Sequence, residues 1–77
     1  MRVRVFVTLK PGVLDPQGET LAVSLNQLGF DDVRGVRVGK YLEIELERDQ
    51  DLGRVDEMCK RLLANPVLED YRIEVQG

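Results

Sequence analysis

The chain has 77 residues, a net charge of −3, charged residues of both signs amounting to 32%, and no histidine. That length makes one domain, residues 1–77, and so short a chain buries only about 60–65% of its unfolded surface, which leaves it in need of a metal, disulfides or further copies of itself. A lone Cys59 excludes an internal disulfide, and the missing histidine and second thiol argue against a zinc site. The acidic balance, with a pI near 4.8, argues against a nucleic-acid binder, so oligomerisation is the remaining source of support.

The chain opens on "MRVRVFV", a charged alternating run unlike a secretory leader, and no apolar stretch approaches the ~20 residues of a membrane span. A cytoplasmic location is expected. Val3, Val5, Val7 and Leu9 alternate with Arg2, Arg4, Phe6, Thr8 and Lys10, the pattern of a half-buried strand. Asp15 is placed to cap a helix whose first position holds Pro16, where the missing N–H costs nothing. Leu21, Ala22, Leu25 and Leu28 continue at helical spacing and Gly29 suits a left-handed stop, so a helix is expected over Pro16–Leu28.

"DVRGVRV" at 32–38 reads as a second strand, Gly39-Lys40 as a tight hairpin turn, and "YLEIELE" at 41–47 as a third strand with Leu42, Ile44 and Leu46 inward. Asp49 or Asp51 then caps a second helix carrying Leu52, Val55, Met58, Cys59, Leu62 and Leu63 on its apolar stripe, ended by Asn65-Pro66. A last strand, "YRIEV", covers 71–75. Asp31, Asp32 and Arg34 align with Glu69, Asp70 and Arg72, a short internal repeat. The order βαββαβ predicts an α+β two-layer sandwich of ferredoxin-like type: a four-stranded antiparallel sheet with both helices on one face.

On the other face Arg2, Arg4, Phe6, Thr8 and Lys10 of the first strand are expected beside Tyr41, Glu43, Glu45 and Glu47 of the third. Cross-strand ion pairs there would help fix the register. That face either meets solvent or is covered by a second copy through Phe6 and Tyr41.

No catalytic set is visible. Ser24 has no base partner, Cys59 lies on an apolar helix stripe, and the glutamates of the third strand face arginines. "PGVLDPQG" lacks the spacing of a phosphate-binding loop, and Asp15 would repel a bound anion. An RNA-recognition module of the same topology would need a basic sheet with set aromatics, whereas this third strand is acidic. Arg37 and Lys40 form the better basic patch, read either as solvated cations or as a contact.

The stretches "VTLKPGVLDPQGETL", "LG" and "VRVGKYLEIELE", in this order, resemble the PurS small-subunit family of phosphoribosylformylglycinamidine synthase along essentially the whole chain. The sharpest parts are Lys-x-Gly-x-x-Asp-Pro-x-Gly at Lys10–Gly18 and Arg-x-Gly-Lys at Arg37–Lys40. The resemblance implies a non-catalytic subunit of a purine-synthesis complex that uses glutamine and ATP with magnesium. No cofactor binds this subunit itself; it would assemble a large synthetase subunit (PurL) with a glutaminase (PurQ), support ammonia transfer, and associate with itself as dimer or tetramer. Lys10, Gly12, Asp15, Pro16, Gly18, Arg37, Gly39 and Lys40 are then the expected docking residues, on a loop stiffened by Pro11 and Pro16. The competing reading is an ACT-like domain that binds a small molecule; an acylphosphatase-like hydrolase lacks its arginine-bearing loop here.

Overall fold

In a computed structural model of the protein, which describes residues 1–47 and 52–76, the elements run β1 (Arg2–Leu9), α1 (Pro16–Gln27), β2 (Gly39–Glu45), α2 (Leu52–Met58), a π-helical segment Cys59–Leu63, and β3 (Glu69–Gln76). The expected helix caps Asp49 and Asp51 lie outside the described residues.

The sheet has three strands, not four. Its order is β2-β1-β3, and β1 is antiparallel to both neighbours. The strand expected over 32–38 is absent, and with it the hairpin: Gly39 and Lys40 belong to β2, paired with Thr8 and Val7. The reason is that the chain does not turn at Gly39-Lys40. Gly39 and Lys40 pair with Thr8 and Val7 as the start of β2, so 32–38 continues straight into that strand and cannot fold back along its free edge, where the fourth strand was expected.

The alternating valines of β1 do the expected work. Val3, Val5 and Val7 are fully buried against Val55 of α2, Cys59 and Ala64, with Leu42, Ile44, Tyr71 and Ile73 packed around them. Each such side chain contributes about 1.5–3 kcal/mol. The helical segment ends at Leu63 ahead of Asn65-Pro66, as the Asn-Pro signal requires.

The two helices are not equivalent partners of one face. α1 is capped at both ends: Asp15 accepts from the Gly18 N–H at 2.9 Å, Pro16 opens the helix, and Gly29 (φ 101°) closes it. The closing turn carries Phe30 N–H to Leu25 O and Gly29 N–H to Asn26 O, the paired bonds of a Schellman stop. Yet Gly18 is the one buried residue of α1, and Leu21, Val23 and Leu28 are exposed. The local signals made a helix; the core did not take it in.

Candidate functional site

The segment between β1 and α1 begins with a turn. Lys10 O accepts from the Val13 N–H at 3.1 Å, Pro11 occupies the position that wants φ near −65°, and Gly12 follows at φ 86°, as a type II turn demands. From 24 or more residues away, Arg37 reaches back and donates to Val13 O (3.0 Å), Lys10 O (3.2 Å) and Leu9 O (3.5 Å). Asp15 ties the other end. Its Oδ1 takes the Gly18 N–H and its Oδ2 takes the Val38 N–H at 2.8 Å, bonds that hold its carboxyl below the ordinary carboxylate range, with desolvation opposing. Gly18 is required by space, since a Cβ there would run into Val36 O, and one at Gly39 would stand 2.5 Å from Val7 O.

The sequence-predicted docking residues therefore come together, but most have an internal duty. Asp15, Gly18, Arg37 and Gly39 set the shape; Lys10 pairs with Asp70 at 2.6 Å, and Lys40 donates to Leu63 O at 3.2 Å. What the clamped loop presents is Leu14, 68% exposed at its tip. Sequence reading missed Leu14; the available signal was an apolar residue between two prolines, in a loop.

On the outer sheet face one cross-strand row is Tyr41–Phe6–Arg72. The Phe6 and Tyr41 rings lie 5.1 Å apart, and the Arg72 guanidinium sits 4.5 Å above Phe6, a cation–π stack. Phe6 is thus half-covered by its own chain. The next rows set Arg4 between Glu43 and Glu74, and Arg2 beside Glu45 and Gln76; of the cross-strand ion pairs expected on this face, Arg2–Glu45 forms. The hydrogen bond and charge of Glu45 raise the Arg2 pKa, and Arg2 lowers that of Glu45.

A catalytic reading finds no support in this geometry. Both Asp15 oxygens are committed to backbone N–H groups, which removes it as a base. Cys59 is buried, and desolvation followed by Asp56 raises its thiol pKa, away from nucleophilic duty. Tyr71 donates to Asp56, which also pairs with Lys60 at 3.0 Å; the Asp56 bond pushes the Tyr71 pKa up to about 12. Among the described residues no group of three or more Asp, Glu or Cys could hold a metal, and no helix is long and apolar enough to cross a membrane.

The relatives of this chain show its family. The phosphoribosylformylglycinamidine synthase subunit PurS of Bacillus subtilis is 49% identical over 77 residues, covering 97% of this chain and 92% of that one. The solved B. subtilis PurS structure superposes with a TM-score of 0.89 at 49% identity, over 99% of this chain and 98% of its own. A structure of PurLQS from Thermotoga maritima contains a chain that matches with a TM-score of 0.83 at 30% identity, over 95% of this chain and 93% of that one. The family PurS: Phosphoribosylformylglycinamidine (FGAM) synthase matches residues 2–77, so this chain belongs to the PurS family, the small subunits of that synthase.

Proposed function

We propose that this chain acts in the cytoplasm as the non-catalytic small subunit that holds a glutaminase (PurQ) and an ATP-dependent synthetase (PurL) together and supports ammonia transfer between them. The observation that carries this reading is the match along nearly the whole chain to PurS subunits, one of them in a PurLQS structure. ATP, its magnesium and the glutamine chemistry belong to the larger subunits. On this chain the docking surface is the Lys10–Gly18 loop with Lys40. Asp15, Gly18, Arg37 and Gly39 hold it in shape, and Lys10, Leu14 and Lys40 face the partner. Phe6 and Tyr41, with Arg72 above them, form a second surface for self-association.

Reconstitution tests this directly. The purified chain alone releases no ammonia from glutamine and hydrolyses no ATP, while adding it to the two larger subunits restores glutamine-dependent synthesis. Lys10→Ala, Leu14→Ser and Lys40→Ala combined keep the circular dichroism spectrum, because none of the three is a buried residue. They lower glutamine-driven synthesis more than ammonia-driven synthesis, since only the former needs the glutaminase docked. Full glutamine-driven activity of this variant at equal subunit concentration would remove the loop from the docking surface. Synthesis that is unchanged by omitting the chain would remove the assembly role itself.

A further inference from the structure

Two charges stand on the core side of the sheet. Residues directly opposite one another in an antiparallel ladder share a face, and the buried Val7 stands opposite Lys40 of β2 and Tyr71 of β3. Leu9, two residues on and so on the same face, stands opposite Glu69. The inward row of β2 is therefore Lys40, Leu42, Ile44, and that of β3 is Glu69, Tyr71, Ile73. Each row begins with a charge and continues without one. Both charges lie at the end of the sheet that carries the Lys10–Gly18 loop, with the central strand between them.

A cleft of about 360 Å³ opens between them, within the range of ~300–1,000 Å³ usual for small-molecule sites. Val7 and Leu9 of the central strand give it an apolar floor, Lys40 and Glu69 stand on either side, and the start of α1 adds Pro16 and Gln17. Lys40 Nζ makes one bond, to Leu63 O at 3.2 Å, and Glu69 Oε1 accepts one, from the Asn65 N–H at 2.7 Å. The cation and the anion are thus tethered on either side of a single residue, Ala64. Even so they do not pair with each other, and among the described residues neither pairs with any other charged side chain. Two of the three Lys40 donors and the second Glu69 oxygen remain open.

We propose that this cleft binds a free α-amino acid with an uncharged, apolar side chain, its carboxylate on Lys40, its ammonium on Glu69 and its side chain over Val7 and Leu9. The charges select the class. Asp15 also borders the cleft, so a simple anion would meet two carboxylates against one lysine. A simple cation would satisfy Glu69 and stand against Lys40. A molecule carrying both signs a short distance apart answers both. Asp15 does not compete with Glu69 for the ammonium, because each of its oxygens already accepts a backbone N–H. The floor selects the side chain: an alkyl group gains by leaving water there, whereas a charged one would be desolvated without a partner. The cleft is open to solvent, which holds the affinity to about the millimolar range. This inference goes beyond the synthase reading and does not depend on it. Since Lys40 also belongs to the proposed docking surface, the chain is tested without the larger subunits.

Leucine is the probe, titrated into the isotope-labelled chain and followed by amide chemical shifts. It moves the signals of Val7, Leu9, Gln17, Lys40 and Glu69, with a dissociation constant of about a millimolar. N-acetyl-leucine, which lacks the ammonium, and leucine amide, which lacks the carboxylate, each bind about tenfold more weakly or worse. Lys40→Gln keeps a donor for Leu63 O, and Glu69→Gln keeps an acceptor for the Asn65 N–H, so each removes a charge and spares the local bond. Each keeps the circular dichroism spectrum of the parent and weakens leucine binding by about tenfold or more. Arg34→Gln, exposed and outside the cleft, is the control that binds like the parent. No shift by about 20 mM leucine, well above the expected constant, overturns the proposal. So do shifts that sodium acetate or ammonium chloride reproduces at equal ionic strength, which would mark screening of exposed charges only. N-acetyl-leucine binding as well as leucine would make this a seat for a partner's side chain and overturn it equally. Parent-like binding by both neutralised variants would do the same.

Discussion

Gly18→Ala opposes two effects whose signs differ, and the structure decides between them. Gly18 is the third residue of α1, and by helix propensity alone alanine there gains about 1 kcal/mol. The added methyl, however, would meet Val36 O inside the 3.0 Å that real Cβ atoms essentially never breach, and would stand 2.8 Å from Asp15 Oδ2. Asp15 Oδ2 ends a side chain, but the Val38 N–H bond holds it in place. Val36 O is backbone, fixed on one side by Arg37, whose guanidinium is bonded to the loop carbonyls, and by Val38, whose N–H is bonded to Asp15.

Relief therefore means moving the strand that enters β2 away from α1. Overpacking of this kind costs about 1–3 kcal/mol, so the net expectation is a loss of about 1–2 kcal/mol where propensity alone promises a gain. Urea unfolding at one fixed protein concentration reads it, with the midpoint falling by roughly 1 M or somewhat more for a chain of this size. Ser24→Ala, at an exposed position of the same helix, is the reference and stays within about 0.5 kcal/mol of the parent. A Gly18→Ala midpoint equal to or above the parent's would show that 36–38 is not pressed against α1, and the account of the clamped loop would go with it.

Asp15 makes stability depend on acid. Its folded pKa is lowered by the Val38 and Gly18 N–H bonds, so its contribution is complete above the unfolded carboxyl value and is lost as pH falls below about 4 through the lower folded value. Asp15→Asn, measured by unfolding from neutral pH downward, gives a shallower acid decline than the parent; an unchanged slope would mean that the cap carries no pH dependence. Tyr71 acts at the other limit. Its folded pKa of about 12 stands above the ordinary 10.0, so its bond to Asp56 supports the fold below pH 10 and is lost between there and about 12. Ultraviolet titration of a Tyr41→Phe variant isolates this group, and ionisation near pH 10 in the folded chain would refute the Tyr71–Asp56 bond.

What could be read in the sequence was what short spans decide. The valine alternation of β1, the Asp15-Pro16 cap and the Gly29 stop are each determined within about five residues, and each was found in place. The opposed charges of β1 and β2 anticipated cross-strand ion pairs, of which Arg2–Glu45 forms, whereas the Phe6–Tyr41 contact was not foreseen. The fourth strand failed because strand pairing is not a local property. "DVRGVRV" alternates like a strand but meets no strand edge in its own chain. Gly39-Lys40 looked like a hairpin turn for the same reason, since a turn was inferred from a strand that needed one. The candidate loop was legible as a motif and opaque in its roles. Nothing near Arg37 in sequence announces three carbonyls more than twenty residues back, and nothing near Asp15 announces Val38.

Those two long reaches have a mechanical consequence. Arg37 and Val38 are the last residues of the 32–38 stretch, and they are also the residues that bind the Lys10–Asp15 loop. The loop and the stretch therefore cannot move independently. A displacement of Gly35 along this stretch is passed through Val36 to Gly18 and through Arg37 to the Pro11-Gly12 turn, because each of these contacts involves backbone or a committed donor. Ordering the stretch would take entropy out of the loop before any larger subunit arrives. A loop already ordered loses less on docking and binds more tightly for the same contacts. Lys10, Leu14 and Lys40 could then act as a contact surface although a chain this small buries little else beneath them. The glycines and the aspartate of the motif hold the shape of that proposed surface.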